Sequence, residues 1–201
     1  MVRGIGKKKG GKLALLEPLS RVFVSYNYRE RYDVQTALSL QNRTGNSTRI
    51  DHPIKASIHL FLAEMLVKSL KEEAADQDLF DFIDSSLEYF YSTQEFSRFH
   101  SIFLLKLTRF FGFYPASSEG EYFDLLGGKF TSNKNKSLHT LDAGETALLK
   151  QLMAADYDSE LKQSSADNRR ALIFLVDYYK LHLEGFGEVK SLPILIDVFS
   201  D

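Results

Sequence analysis

The chain has 201 residues, enough to bury a core and to form one domain or a small pair. Hydrophobic residues make up 44% and charged residues 26%, the balance of a soluble globular protein, and the net charge of −2 does not mark the molecule as a whole as a nucleic-acid binder. The absence of cysteine excludes disulfides, thiolate zinc sites, iron–sulfur clusters and cysteine nucleophiles.

The start, Met1-Val-Arg-Gly-Ile-Gly-Lys, has no apolar run and is not expected to act as a signal peptide. Up to Arg31 there are eight cations (Arg3, Lys7, Lys8, Lys9, Lys12, Arg21, Arg29 and Arg31) against Glu17 and Glu30, which leaves this piece at +6. The remainder must then carry −8. A basic head on an acidic body is the asymmetry expected when one surface meets a polyanion. Gly4, Gly6, Gly10 and Gly11 interleave with the lysines, so the segment has almost nothing to bury and reads as a loop. It serves either to contact phosphates or as a solvated terminus. It is not a Walker-type loop, because no Gly-Lys-Ser/Thr follows at the required spacing.

Strand character follows at Leu13–Leu16 and at Val22, Val24 and Tyr26, the latter alternating with Arg21, Phe23, Ser25 and Asn27. A weaker strand is predicted from Asp33 to Leu40. Asn42–Arg49 is turn chemistry and marks the predicted domain boundary, dividing the chain into 1–48 and 49–201. From Asp51 the period becomes helical. Pro53 opens a helix carrying Ile54, Ile58, Phe61, Leu62, Met65, Leu66 and Leu70. Asp76 or Asp78 caps a second, with Leu79, Phe80, Ile83, Leu87 and Phe90 on its apolar face. A third is predicted from Thr93 through Phe111, ended by Gly112 and Pro115; it is apolar nearly all round and so belongs at the centre of the bundle. Its most apolar stretch, Ile102–Phe113, is too short for a membrane span and is interrupted by Lys106 and Arg109.

The piece 116–140 reads as a long loop with a small hairpin, Tyr122–Thr131, around Gly127-Gly128. Asp142 and Glu145 form a capping-box pattern for a helix to about Ala155. A further helix runs from about Ser165 to Glu184, ended by Gly185, and a short one from about Leu192 to Phe199 closes the chain. Strands first and helices after give α+β: incomplete β structure, then a mainly α-helical bundle.

Chemistry-bearing patterns are few. The five histidines (His52, His59, His100, His139 and His182) are scattered without ligand spacing, and no metal or cofactor is expected. His59 and His100 lie on apolar faces and read as core or surface histidines. Ser85-Ser86 and Ser164-Ser165 lack a neighbouring nucleophile signature. Lys106 and Arg109 either snorkel to the surface or line a groove that accepts an acidic peptide tail. Arg169-Arg170 opens a helix where cations oppose the macrodipole, and either pairs with Asp167 or Glu160 or meets an acidic partner or DNA. Sixteen Phe and ten Tyr with no Trp point to an aromatic helical core, with base-stacking platforms as the other reading.

Four segments in order carry a family resemblance: Ile58-His-Leu-Phe-Leu-Ala-Glu-Met-Leu; Phe99-His-Ser-Ile-Phe-Leu-Leu-Lys-Leu-Thr-Arg-Phe-Phe-Gly-Phe-Tyr-Pro; Tyr122-Phe-Asp-Leu-Leu-Gly-Gly-Lys-Phe; and Tyr178-Tyr-Lys-Leu-His-Leu-Glu-Gly-Phe-Gly-Glu-Val-Lys-Ser-Leu. Together they resemble the RecO family of bacterial recombination mediators in its Bacteroidetes-type form. The resemblance implies an N-terminal OB-fold, a helical domain, a cytoplasmic location, binding and annealing of single- and double-stranded DNA, and recombinase loading with RecR and the acidic C-terminal tail of single-stranded-DNA-binding protein. The DNA contacts are expected on Arg3, Lys7, Lys8, Lys9, Lys12 and Arg21, the basic loop and its continuation, and weaker partner contacts, read from the charge pattern alone, on Lys106, Arg109, Arg169 and Arg170.

Family members begin further upstream, so Met1 is expected to fall near the middle of the barrel, leaving a partial OB-fold over 1–48. Many members carry a four-cysteine zinc module after the Gly-Phe-Tyr-Pro turn; here the Tyr122–Thr131 hairpin is expected in its place, without zinc. The non-enzymatic mediator is the first reading, and a helical protein–protein adaptor that has lost DNA binding is its rival.

Overall fold

The computed structural model describes residues 17–32, 34–43, 50–70, 76–116, 119–133, 139–160 and 164–199. The basic glycine segment and the predicted strand at Leu13–Leu16 lie outside these. The chain forms two compact units, 1–51 and 52–201.

In the first unit, β1 (Val22–Tyr26) pairs antiparallel with β2 (Ala37–Asn42), Val24 opposite Leu40. The register shifts between Ser25 and Tyr26, so Tyr26 faces Ala37. The strand predicted to begin at Asp33 begins instead at Ala37. The cause is Gln35, whose side-chain amide donates to the carbonyls of Arg29 (2.9 Å) and Tyr32 and accepts from the Arg29 backbone N–H (3.1 Å). Those bonds hold the connection in a turn and take backbone groups away from the ladder.

The second unit is helical: α1 (Pro53–Ser69), α2 (Gln77–Ser92), α3 (Phe99–Leu107), α4 (Ala143–Ala154), α5 (Ser165–His182) and α6 (Ser191–Val198). Between α3 and α4 lies a small antiparallel sheet of β3 (Tyr122–Asp124), β4 (Lys129–Thr131) and β5 (Thr140–Leu141), with β3 in the middle. Strands first and helices after make the fold α+β.

Helix α3 is the core of the bundle: Phe99 through Leu105 and Leu107 are all buried, and only Lys106 reaches outward. It packs against α4 and α5, while α6 lies along α1. Tyr179 of α5 is fully buried and donates its hydroxyl to the Leu104 carbonyl at 2.8 Å, which satisfies the one polar atom that its ring carries inward.

The third helix starts later than its periodicity predicts. Thr93–Ser97 is non-helical, because the Thr93 hydroxyl accepts from the Glu95 backbone N–H at 3.1 Å and offers the chain a local alternative to helix. At its other end the helical path tightens rather than stopping. Arg109 and Phe110 donate to carbonyls three residues back, and Gly112 (φ 77°) then closes a Schellman motif in which Gly112 N–H meets the Arg109 carbonyl and Phe113 N–H the Thr108 carbonyl. That extra turn carries Arg109 and Phe110 beyond α3 proper and onto the surface beside α2.

Two helix starts are fixed by full capping boxes, Asp142 with Glu145 at α4 and Ser164 with Asp167 at α5. At α2 the cap is Asp76, whose carboxylate accepts from Leu79 N–H at 2.9 Å. On that helix Ser86, Leu87 and Phe90 are buried, whereas Phe80, expected on the same face, lies in the first turn and is 54% exposed. Phe82 takes up the inward role instead, stacking on Phe103 (5.5 Å) and packing at a tilt against Phe110 (4.9 Å).

Candidate partner-binding groove

Of the residues expected to bind DNA, Arg3, Lys7, Lys8, Lys9 and Lys12 fall outside the described residues. Arg21 immediately precedes β1, and its carbonyl accepts from Arg43 N–H at 2.9 Å, extending the β1–β2 ladder. Across that ladder the Arg43 guanidinium sits 5.9 Å from the Phe23 ring centroid.

The four expected partner contacts separate into two places. Arg169 donates to the Phe199 carbonyl at 2.9 Å and so closes the C-terminal end of α6. Arg170 is exposed, and its charge helps hold the Asp167 carboxyl below its usual range, after the larger effects of the Ser164 hydrogen bonds. Asp167, in the first turn, also offsets the clash of the two arginines with the α5 macrodipole. Both arginines therefore have local structural work.

Lys106 and Arg109 are brought together. Their i, i+3 spacing puts them on one side of the α3 path, where they line a groove of about 300 Å³ with Phe82, Ser85, Ser86, Phe110 and Tyr157. The floor is aromatic. Tyr157, in the turn after α4, stacks on Tyr89 (5.3 Å) and packs at a tilt against Phe99 (4.8 Å), and its hydroxyl pairs with Ser86 Oγ at 2.9 Å. Burial pushes the Tyr157 phenol up from its ordinary value, the Ser86 hydrogen bond pulls against it and the Asp156 charge adds to it. It remains a neutral hydrogen-bonding ring.

The cations frame this floor. Lys106 Nζ lies 5.0 Å from the Tyr157 ring centroid, and the Arg109 guanidinium 4.3 Å from that of Tyr114. Lys106 also forms an ion pair with Asp156, whose carboxyl is held below the usual range first by the Lys106 hydrogen bond and charge and then by Arg109. An apolar floor with two cations at its edge suits a short peptide that carries both an aromatic or aliphatic side chain and carboxylates.

The aromatic floor is not legible in the sequence. Periodicity assigns Phe110 to the core face of the third helix, Phe82 lies off the predicted face of α2, and Tyr157 sits in a connection with no periodicity at all. The one usable signal is the pair of cations interrupting an apolar run.

Among the described residues no group of three or more His, Asp or Glu side chains is arranged to hold a metal ion, and no helix is long and apolar enough to cross a membrane.

Residues 51–193 match the family model described as "Recombination protein O C terminal". The chain is 31% identical over 192 residues to the DNA repair protein RecO of Azobacteroides pseudotrichonymphae, an alignment covering 92% of this chain and 80% of that one. It is 32% identical over 206 residues to the DNA repair protein RecO of Christiangramia forsetii, covering 99% and 85%. Against the protein of the same description from Flavobacterium johnsoniae it is 32% identical over 197 residues, covering 96% and 82%.

Proposed function

The chain belongs to the RecO family of DNA repair proteins, and from that premise we propose that it acts as a recombination mediator without covalent chemistry of its own, using two separate surfaces. The basic segment Arg3–Lys12, with Arg21, meets DNA through phosphate contacts, and the helical unit meets protein partners: the acidic C-terminal tail of single-stranded-DNA-binding protein, and RecR. In this reading residues 1–48 are part of an OB-fold and 49–201 the partner-binding domain.

The observation that carries the partner half is the groove at Lys106 and Arg109. A peptide tail that ends in an apolar residue after several carboxylates would lay that residue on Phe82, Phe110 and Tyr157 and turn its acids toward the two cations. The DNA half rests on charge. Five cations among four glycines give affinity without sequence preference, and each phosphate neutralised releases counterions, so binding weakens steeply with salt.

The test is fluorescence anisotropy with a labelled single strand over a salt series, comparing the parent with the triple variant Lys7→Ala, Lys8→Ala, Lys9→Ala. The mediator reading expects the parent to bind with a steep slope of log affinity against log salt. The variant should bind more weakly, with a slope shallower by about 2, since each phosphate left unneutralised on a single strand removes roughly 0.7. Absence of DNA binding by the parent leaves the adaptor reading, in which only the groove retains a partner.

A further inference from the structure

We propose that Asp156 is a built-in occupant of the partner groove, holding its cations in the place of a peptide carboxylate until a tail displaces it. The inference rests on the peptide-binding reading of the groove and adds to it a residue that sets how tightly the groove binds a carboxylate ligand.

The geometry has three parts. First, Asp156 meets the groove's cations from within the same chain: it pairs with Lys106, and the Arg109 charge acts on it as well. Second, its position is fixed by its surroundings. The Asp156 backbone N–H donates to Ser159 Oγ at 2.8 Å, Ser159 N–H donates to the Asp156 carbonyl at 3.1 Å, and the next residue, Tyr157, is anchored in the aromatic floor. Third, the pair is unequal. The Lys106 side chain is 19% exposed and that of Asp156 74%, so the cation belongs to the groove wall while the carboxylate covers it from the solvent side.

An ion pair with one partner this exposed is weak, since water competes for the carboxylate. It therefore yields to an incoming carboxylate whose chain also buries an apolar side chain on the ring floor. It does not yield to an acidic ligand without that side chain, which merely exchanges one exposed ion pair for another. Asp156 thus works as an internal competitor for the cations, weakening carboxylate ligands so that acidity alone is insufficient for binding. Such discrimination by a competing internal group is a general route to specificity.

The probe is a fluorescein-labelled peptide, Asp-Asp-Asp-Leu-Phe, and its neutral counterpart, Asn-Asn-Asn-Leu-Phe, both with an amidated C-terminus so that the aspartates supply the only peptide carboxylates. Both are titrated with the full chain, with Asp156→Asn and with Asp158→Asn, a control that removes a neighbouring exposed charge. The expected result is that Asp156→Asn binds the acidic peptide up to about fivefold tighter than the parent. Asp158→Asn stays close to the parent, and the neutral peptide does not distinguish Asp156→Asn from it. Equal gains from both variants would reduce the effect to net charge, and tighter binding of the neutral peptide would mean that the groove had merely widened. Either overturns the proposal. A parent that binds the acidic peptide while Asp156→Asn binds no tighter overturns it but leaves the groove standing. Failure of all three folded proteins to bind the acidic peptide at low salt removes the groove reading and this inference together.

Discussion

The Glu64 carboxylate of α1 accepts two hydrogen bonds from Ser191, one from its backbone N–H at 2.8 Å and one from its hydroxyl at 2.6 Å. A third comes from Lys190 N–H at 2.8 Å. Glu64 thus serves as the N-terminal cap of α6 from a helix more than a hundred residues earlier, and no side chain of the helix's own N-cap residue does so. Burial by itself would raise the Glu64 carboxyl, but the Ser191 and Lys190 hydrogen bonds, with help from Lys68, outweigh it and hold it below the usual range.

Removing this tie should loosen the seam between α1 and α6. Glu64→Ala leaves the exposed Lys190 N–H and the half-buried Ser191 N–H and hydroxyl without this partner, and should cost about 1 kcal/mol. Because the folded carboxyl titrates below the unfolded one, its contribution is fully present above the unfolded value near 4.3 and fades as pH falls through the folded one. Urea denaturation of parent and variant at pH 7 and pH 3.5 checks this: the stability gap should be open at the first and narrowed at the second.

His100 sets a second acid limit. It is fully buried on α3, stacked on Phe199 at 5.3 Å and edge-on to Phe61, and neither ring nitrogen has a hydrogen-bond partner among the described residues. Burial lowers it to about 3. An unfolded histidine near 6.5 takes up a proton that the folded one refuses, so stability is intact above 6.5 and drains away as pH falls from there toward 3. The drop over that window is on the order of 4 kcal/mol. His100→Leu, which cannot protonate, should show a melting temperature that gains on the parent steadily between pH 7 and pH 4; parallel curves would mean that His100 is not the titrating group.

These two residues show what a sequence can and cannot disclose. The α4 capping box is visible because Asp142 and Glu145 are three residues apart and their chemistry is local. The α6 cap is invisible, since Glu64 is an ordinary polar position on α1 until the fold brings Ser191 to it. Helix periodicity identifies α3 as central, because an all-apolar surface has only one place to go. It misjudges where that helix begins, for the Thr93 turn rests on one hydroxyl hydrogen bond. The groove follows the same division: Lys106 and Arg109 stand out as charges in an apolar run, whereas Phe82, Tyr157 and Asp156 come from α2 and the turn after α4, and only tertiary packing assembles them. Family resemblance is the strongest signal, being carried by four segments at once rather than by any single contact.

The hairpin that follows α3 depends on close backbone approach at Gly120. Its φ is 130°, and a Cβ there would lie 2.6 Å from the Thr131 nitrogen and 2.8 Å from the Thr131 oxygen. Neither is a side chain that could swing away. Lys150 also donates to the Gly120 carbonyl at 2.7 Å, so a shift at this point disturbs the contact with α4. Gly120→Ala should therefore destabilise the second unit by roughly 2 kcal/mol or more, from backbone strain and overpacking together. Hydrogen exchange can localise the effect: protection should fall first at Phe123 and Phe130, which face each other across β3 and β4, while the α3 amides keep theirs.

The two proposed binding surfaces belong to different units, so they should be separable by mutation. Lys106→Glu with Arg109→Glu reverses both groove cations and leaves the Tyr157–Ser86 floor intact. Lys106 leans over the Tyr157 ring and Arg109 over that of Tyr114, so the reversal removes two modest cation–ring attractions and turns the exposed Lys106–Asp156 pair into a like-charge contact, together worth about 2 kcal/mol. The melting temperature should fall by only a few degrees. Affinity for the acidic peptide should fall at least tenfold, because two attractive contacts become repulsive. Single-strand DNA binding should stay within about twofold of the parent at moderate salt, because the DNA contacts are assigned to the basic segment and salt screens exposed charges. The reciprocal variant, with Lys7, Lys8 and Lys9 replaced by Ala, should lose DNA affinity and keep the peptide. Anisotropy titrations of both ligands against both variants decide the matter: a folded variant that bound neither ligand would show that the two surfaces are coupled.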